Sequence, residues 1–473
     1  MISFFRINDP FRIIVLFVLL LLVRLPYYIH GITLTLPELN HLLVGESLAN
    51  GATLYVSLWE DISPLSAWIY MLIDYVFGKS TWVYHILGFF LMFYQSILFN
   101  AITYKNKLYN EGTYVPALIY GILMSLSSDM YPLSPILMSS TFILLAMNNI
   151  FRQVEFRIKA DEPIFYIGVY LGIATLFYFP SAIFGGIALI ILAFFSSTIG
   201  RRYLLVVYGF LLPLFLVISY FYIIDGASAA WTVFSTKVFS PNKIDYLSYQ
   251  TVLYITAPVV LFFIIGIFRV FKRNRFSNYQ LRLIQLVIVW LLLSFGLLFW
   301  MEKLISSYII FVPTIAVIIT HYFLLIKKSF KTELIFMFFL TAILYVNMAL
   351  IFNWLGIQKQ IDRSHTMVLN TPYEKFVKDK KVVVLGNNLS IYRNASLATP
   401  FIDWGLASET LLQPNYYGKA TMIHKGFVEN PPEIIIDLEN IMPQLKESIV
   451  FIDKNYNKIE KGVYKLKEDL SSK

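Results

Sequence analysis

The sequence predicts a polytopic α-helical membrane protein of about eleven transmembrane helices, with juxtamembrane helices and a C-terminal extracytoplasmic α/β lobe. Three observations predict it. The 473 residues are 58% hydrophobic, 17% aromatic and only 14% charged, with mean hydropathy +0.66, against about 25% charge in an average soluble domain. The basic residues sit between apolar runs rather than within them. From residue 356 onward the composition turns soluble, with 16 Lys/Arg and 14 Asp/Glu. A chain this apolar cannot hide its surface in water, which excludes a soluble enzyme, a disordered or fibrous chain and a nucleic-acid binder. The net charge of +9 reflects membrane topology rather than a nucleic-acid partner. With no Cys, disulfides, thiolate catalysis and Cys-ligated metals are excluded.

The apolar runs long enough to cross about 30 Å of hydrocarbon are 11–29, 81–100, 114–128, 133–150, 163–179, 180–198, 203–223, 251–270, 281–300, 306–326 and 334–355. No small-residue cleavage site follows the first, which reads as a retained signal anchor. The stretch 64–78 is apolar too, but it is short and carries Asp74. The positive-inside rule decides its fate. With a cytoplasmic N-terminus and 64–78 not crossing, 17 of the 22 Lys and Arg before residue 356 lie inside and only Arg24, Lys79, Lys237, Lys243 and Lys303 lie outside. If 64–78 crosses, the split becomes 6 inside and 16 outside. The segment is therefore expected to lie on the membrane surface. The loop 30–80, the turn at Asp129, the loop 225–250 and the whole tail then share the outer face.

Within the tail, Lys381–Leu385 and Glu433–Asp437 read as strands, 440–448 as a helix, and Tyr456–Lys467 as a hairpin about Lys461-Gly462. The expected organisation is a transmembrane domain over 1–355 and a soluble domain over 356–473. Gly386-Asn387-Asn388 after the first strand lacks the GxGxxG pattern and reads as a structural turn.

The first outer loop is the most informative segment. Pro37-Glu38, His41, Glu46, Gly51, Leu54-Tyr55, Glu60-Asp61 and Pro64-Leu65 place four carboxylates and a His beside the membrane. Glu38, His41 and Glu46 fall on neighbouring faces of a short helix. Carboxylates against an apolar wall serve as general bases, and solvated polar residues on an interfacial helix give the same spacing. This segment resembles the first extracytoplasmic loop of the GT-C glycosyltransferases that use polyprenyl-phosphate sugars, the protein O-mannosyltransferase and aminoarabinose transferase group. It shares with them an acid, a following His, a helix ending in Gly, x-Tyr, a second acid, Pro-x and a juxtamembrane helix ending in Phe77-Gly78. Trp290, Glu302-Lys303, Ser306-Ser307-Tyr308 and Pro313 are similar to the family's second motif stretch, and Tyr392, Trp404 and Gly462-Val-Tyr464 to its terminal lobe. The chain departs from the pattern at Pro37, where the family has Asp, at Ser134–Ser140, where an acid is usual, and at Tyr178-Phe179-Pro180, where a cation is usual.

The resemblance implies a GT-C-like fold and an inverting sugar transfer at the outer face of a bacterial inner membrane. The partners it implies are membrane lipid, a polyprenyl-phosphate sugar donor, and a glycan, lipid or protein acceptor. By the resemblance Glu38 matches the family's acid, and with the catalytic set rearranged Asp61 or Glu46 takes that part. Lys303, in the second matched stretch, is the first candidate for the donor phosphate and Arg24, at the outer end of the first helix, the next, Arg24 being equally readable as a snorkelling interfacial anchor; His41, Glu60, Asp129 and Tyr308 are candidates for the acceptor or the pocket wall. Lys237, Lys243 and Asp245 are further candidates along the acceptor path. A divalent metal among the acids is compatible with the pattern, although no ligand spacing singles one out. The departures leave a second reading open, a non-catalytic GT-C-like scaffold or subunit of an envelope assembly. A transporter fits less well, because no inverted repeat or mid-membrane charge is evident.

Overall fold

The computed structural model describes the chain apart from residues 157–159, 197–198, 240–245, 273–275, 327–329, 353–362, 399 and 468–473. The chain divides into two compact units. One comprises Met1–Ile32, Tyr84–Val217 and Lys243–His365; the other comprises Thr33–Val83, Ile218–Asn242 and Thr366–Lys473. The expected boundary at 355/356 falls outside the described residues.

The first unit is helical. Among the described residues seven helices are long and apolar enough to cross a membrane: Phe11–His30, Thr81–Lys105, Gly200–Ile223, Tyr249–Lys272, Asn278–Phe299, Ile305–Leu325 and Phe330–Phe352. The chain is thus a multi-pass helical membrane protein with fewer full-length spans than the eleven expected. The physical reason is local. Segment 114–128 holds only the helix Val115–Leu123, after which serines at 125, 127 and 128 turn the chain, and Ser125 Oγ donates back to the Gly121 carbonyl at 2.9 Å. The helices Glu162–Phe177 and Ile183–Phe195 have 16 and 13 residues, about 24 and 20 Å at 1.5 Å per residue. Pro135–Phe156 is long enough but ends in Arg152, Gln153 and Glu155.

Close helix approach holds this unit together where apolar burial cannot, since lipid tails are as apolar as Leu. Gly168 and Gly172 lie one turn apart on Glu162–Phe177, and Gly209 lies on the helix Gly200–Ile223. A Cβ on Gly168 would stand 2.1 Å from the Val206 carbonyl oxygen, and one on Gly209 2.3 Å from that of Phe165. The two backbones therefore touch, as small-xxx-small pairs permit.

The second unit joins the first loop to the tail. Its sheet has the order β2-β1-β3-β5-β4, with β1 Lys381–Leu385, β2 Ser396–Leu397, β3 Ile434–Asp437, β4 Tyr456–Glu460 and β5 Val463–Leu466. β1 runs parallel to β2 and β3, and β5 antiparallel to β3 and β4. The three segments expected as strands and hairpin all form. β1 and β3 read as unbroken Val and Ile runs because helices cover both their faces. The helices Trp404–Leu411, Tyr417–Glu429, Met442–Ser448 and Val450–Asn455 contribute Leu411, Ile423, Phe427, Leu445 and Ile452 to the core.

From the first loop this unit takes Leu36–Ala49 and Pro64–Phe77. Thr35 caps the former, its Oγ1 accepting from the Glu38 amide at 3.4 Å. Pro64 opens the latter, and Gly78, at φ 68°, closes it in the left-handed region where a side chain is strained. Segment 64–78 is thus a 14-residue helix, about 21 Å long and too short to span.

Candidate functional site

Three stitches bind the first loop to the lobe. The Val368 amide donates to the Leu34 carbonyl at 3.1 Å. Ser396 Oγ donates to Glu46 Oε1 at 2.7 Å, and Lys79 Nζ bridges Glu46 Oε2 at 2.9 Å and the Ala395 carbonyl at 3.1 Å. The Trp59 amide donates to the Pro400 carbonyl at 2.7 Å, and the Asp403 amide to the Trp59 carbonyl at 3.2 Å. Edge-to-face packing of Trp59 on Phe401, centroids 5.1 Å apart, reinforces this last bridge.

The third stitch brings acidic side chains together. It sets Glu60 and Asp61 against Asp403, and carboxylate oxygens of all three lie within 4.8 Å of one another. Glu60 is buried; Asp61 and Asp403 are half-buried. The loop that presents them is held by its own hydrogen bonds. Tyr55, at φ 66°, takes its amide to the Leu58 carbonyl at 2.9 Å and its hydroxyl to that of Ile62 at 2.6 Å, spanning the acidic pair. Burial, followed by the charges of Asp61 and Glu60, pushes the Tyr55 phenol well above its ordinary value. Asn40 Nδ2 donates to Glu60 Oε1 at 2.9 Å, and Asp403 Oδ1 caps the helix Trp404–Leu411 by accepting from the Leu406 amide at 3.1 Å. Asp403 follows β2 in the chain and opens the helix Trp404–Leu411. Three carboxylates this close repel unless a proton or cation is shared among them. An all-oxygen set suits a hard divalent ion such as Mg2+ or Ca2+.

Of the expected residues, the structure brings together Asp61 and Glu60, with Asp403 added. Glu46 belongs instead to the ion pair with Lys79, at which both side chains are largely covered. Glu38 is buried in the first turn of Leu36–Ala49. His41 stacks on Tyr70 at 4.8 Å, and burial lowers its pKa to about 3, so the ring is neutral at physiological pH. The unfolded ring titrates near 6.5; between that value and about 3 only the unfolded chain takes up the proton. Stability therefore falls as pH drops through this window. His41→Gln should flatten the acid limb of a melting-temperature profile between pH 7 and pH 4.

The other candidates lie in the helical unit. Arg24 is fully buried rather than snorkelling to water, 4.2 Å over the Tyr131 ring, with Nη2 donating to the Met124 carbonyl at 3.3 Å. Asp129, in the turn Ser128–Met130, forms a buried ion pair with Arg363. Lys303 Nζ stands 3.9 Å from the Tyr249 ring centroid, and Tyr308 lies in the turn Ile305–Phe311 against Phe311. Lys243 and Asp245 lie outside the described residues.

Sequence reasoning did not reach Asp403 or Arg363. Asp403 carries a local signal, an acid opening the helix at Trp404, but that signal speaks of capping. The fold and the carboxylate group together define a class, a multi-pass helical membrane protein with an acidic centre in a unit shared by loop and tail. Compared with known proteins, the chain matches no family model and no curated sequence.

Proposed function

We propose that this protein is a membrane glycosyltransferase of GT-C type that moves a sugar from a polyprenyl-phosphate-linked donor to a hydroxyl acceptor at the outer face of a bacterial inner membrane. In this reading all eleven apolar segments are embedded, the short helices joining the seven long ones, and the N-terminus is cytoplasmic. The observation that supports it best is the convergence of Glu60, Asp61 and Asp403, drawn from two segments more than three hundred residues apart in a unit that also contains the short helix Pro64–Phe77.

The chemistry follows from the group. Asp61, half-buried beside two other acids, takes the proton of the acceptor hydroxyl. The acceptor oxygen forms its bond to C1 of the sugar as the bond from C1 to the phosphate oxygen breaks, and the electron pair leaves with the phosphate. The departing phosphate requires positive charge; by the resemblance Lys303 is the candidate for it, and Arg24, fully buried, is set aside. Should a divalent ion bind the three acids, it would supply Lewis acidity toward an oxygen ligand.

The test uses the full chain in nanodiscs with a radiolabelled polyprenyl-phosphate sugar, comparing wild type with Asp61→Asn, Lys303→Ala and the lobe-surface control Lys425→Ala. Transfer or release of sugar that falls in the first two variants alone supports the reading. Equal turnover in all overturns the site. A stoichiometric partner in a pull-down, without binding of the labelled lipid, establishes the scaffold reading instead.

A further inference from the structure

Two adjoining cavities of about 330 and 170 Å³ lie in the helical unit and share Tyr109, Asn110 and Glu111 in their walls. Lys105 and Lys107 line the larger; Phe276, Gln280 and His321 line the smaller. Three membrane-crossing helices begin or end beside them, at Lys105, Asn278 and Leu325, so the cavities open at a membrane boundary. The loop between is fixed. Gln280 Nε2 donates to Asn110 Oδ1 at 2.7 Å, Tyr279 Oη donates to the Asn106 carbonyl at 2.7 Å, and Lys107 is held at φ 49°.

His321 marks the floor. It is 3% exposed and lies edge to face with Tyr109 at 4.6 Å and with Phe276 at 5.4 Å. Its Nε2 is buried without a hydrogen-bond partner. A buried polar nitrogen left unpaired is costly, and the cavity it lines is where a partner can sit. At the mouth, Lys105 and Lys107 are exposed and form no ion pair among the described residues. The shared wall also carries the Glu111 carboxylate, which stands in electrostatic range of Arg6 and is offset by it.

We propose that this cavity pair binds a phosphate ester, with the phosphate between Lys105 and Lys107 and the polar remainder of the ligand on His321 Nε2. Basic pockets at the ends of membrane helices take anionic lipid headgroups by this chemistry, and the same groups would receive a free phosphate.

The experiment uses the full chain in dodecyl maltoside, probed by native mass spectrometry and thermal shift with short-chain phosphatidylglycerol, phosphatidylcholine and inorganic phosphate in separate arms. Phosphatidylglycerol held over phosphatidylcholine, and weakened roughly thirty-fold by the Lys105→Ala/Lys107→Ala double variant, supports the site and names a lipid headgroup as the source. Stabilisation by inorganic phosphate that the double variant abolishes supports the site with a soluble source. His321→Gln, which keeps a hydrogen-bonding amide, is expected to retain part of the binding, and His321→Phe to lose it. Equal retention of both lipids with no effect of phosphate, or undiminished binding in the double variant, overturns the proposal. None of these outcomes depends on sugar transfer.

Discussion

Asp61→Asn should reduce sugar transfer by about 10²- to 10⁴-fold, the range over which a positioned general base contributes, while leaving the folded chain intact. Asn keeps the shape of Asp and one acceptor oxygen, and it removes the charge and the capacity to take a proton. Asp403→Asn provides the decisive comparison. Its amide oxygen can still cap the helix at Leu406, so stability is retained, yet one of three converging charges is gone. If the three acids act on one bound cation, Asp403→Asn and Asp61→Asn both weaken the response of turnover to added Mg2+, and excess metal partly restores Asp403→Asn. If no cation is shared, neither substitution changes that response. Full turnover by Asp61→Asn, with lipid-linked sugar shown to bind, would refute its role as base.

The largest effect on stability is expected at the pair formed by Asp129 and Arg363. Both side chains are only 7% exposed. Removing one member of a buried ion pair leaves the other charge uncompensated, at a cost of about 3–5 kcal/mol. Arg363→Ala and Asp129→Ala should each lower the midpoint of denaturant or thermal unfolding of the detergent-solubilised protein by a corresponding margin. The double variant should be markedly less damaged than the sum of the two, because it buries no orphaned charge. Additive losses in that cycle would show that the two charges do not act as a pair. The pair ties the turn that follows the short helix Val115–Leu123 to the chain just beyond the last membrane helix.

How much of this was legible in the sequence depends on the range over which each feature is determined. The membrane helices are written in runs of apolar residues, and the strands β1 and β3 in Val and Ile runs between turn residues. Gly168-x-x-x-Gly172 is a small-xxx-small pattern that the reading of apolar runs passed over, and its contact with Gly209 is seen only in the structure. Among the described residues seven helices are full-length rather than eleven, because a hydropathy average does not register what ends a helix: polar serines follow Leu123 within an apolar stretch, and Ser125 Oγ bonds back to the Gly121 carbonyl. The site was half legible. Glu60 and Asp61 stood out because two acids beside a membrane are unusual. Asp403 did not, because its neighbours describe a helix cap and its partners are encoded far upstream. Glu46 looked equivalent to Asp61 in sequence; Lys79, 33 residues later, and Ser396 in the tail engage Glu46, whereas Asp403 faces Asp61. Arg363 follows an apolar span and reads locally as an ordinary flanking cation.

The stitching of residues 34–59 to residues 368–403 sets an order of events in synthesis. The first loop leaves the ribosome some three hundred residues before its partner exists, and at about 5–20 residues per second that interval is of the order of ~15–60 s. Throughout it the nascent acidic pair has no Asp403 to face, and Glu46 has no Ser396. A chain interrupted anywhere before the last quarter lacks Asp403 and Ser396, so the three acids meet only once the tail has been translated.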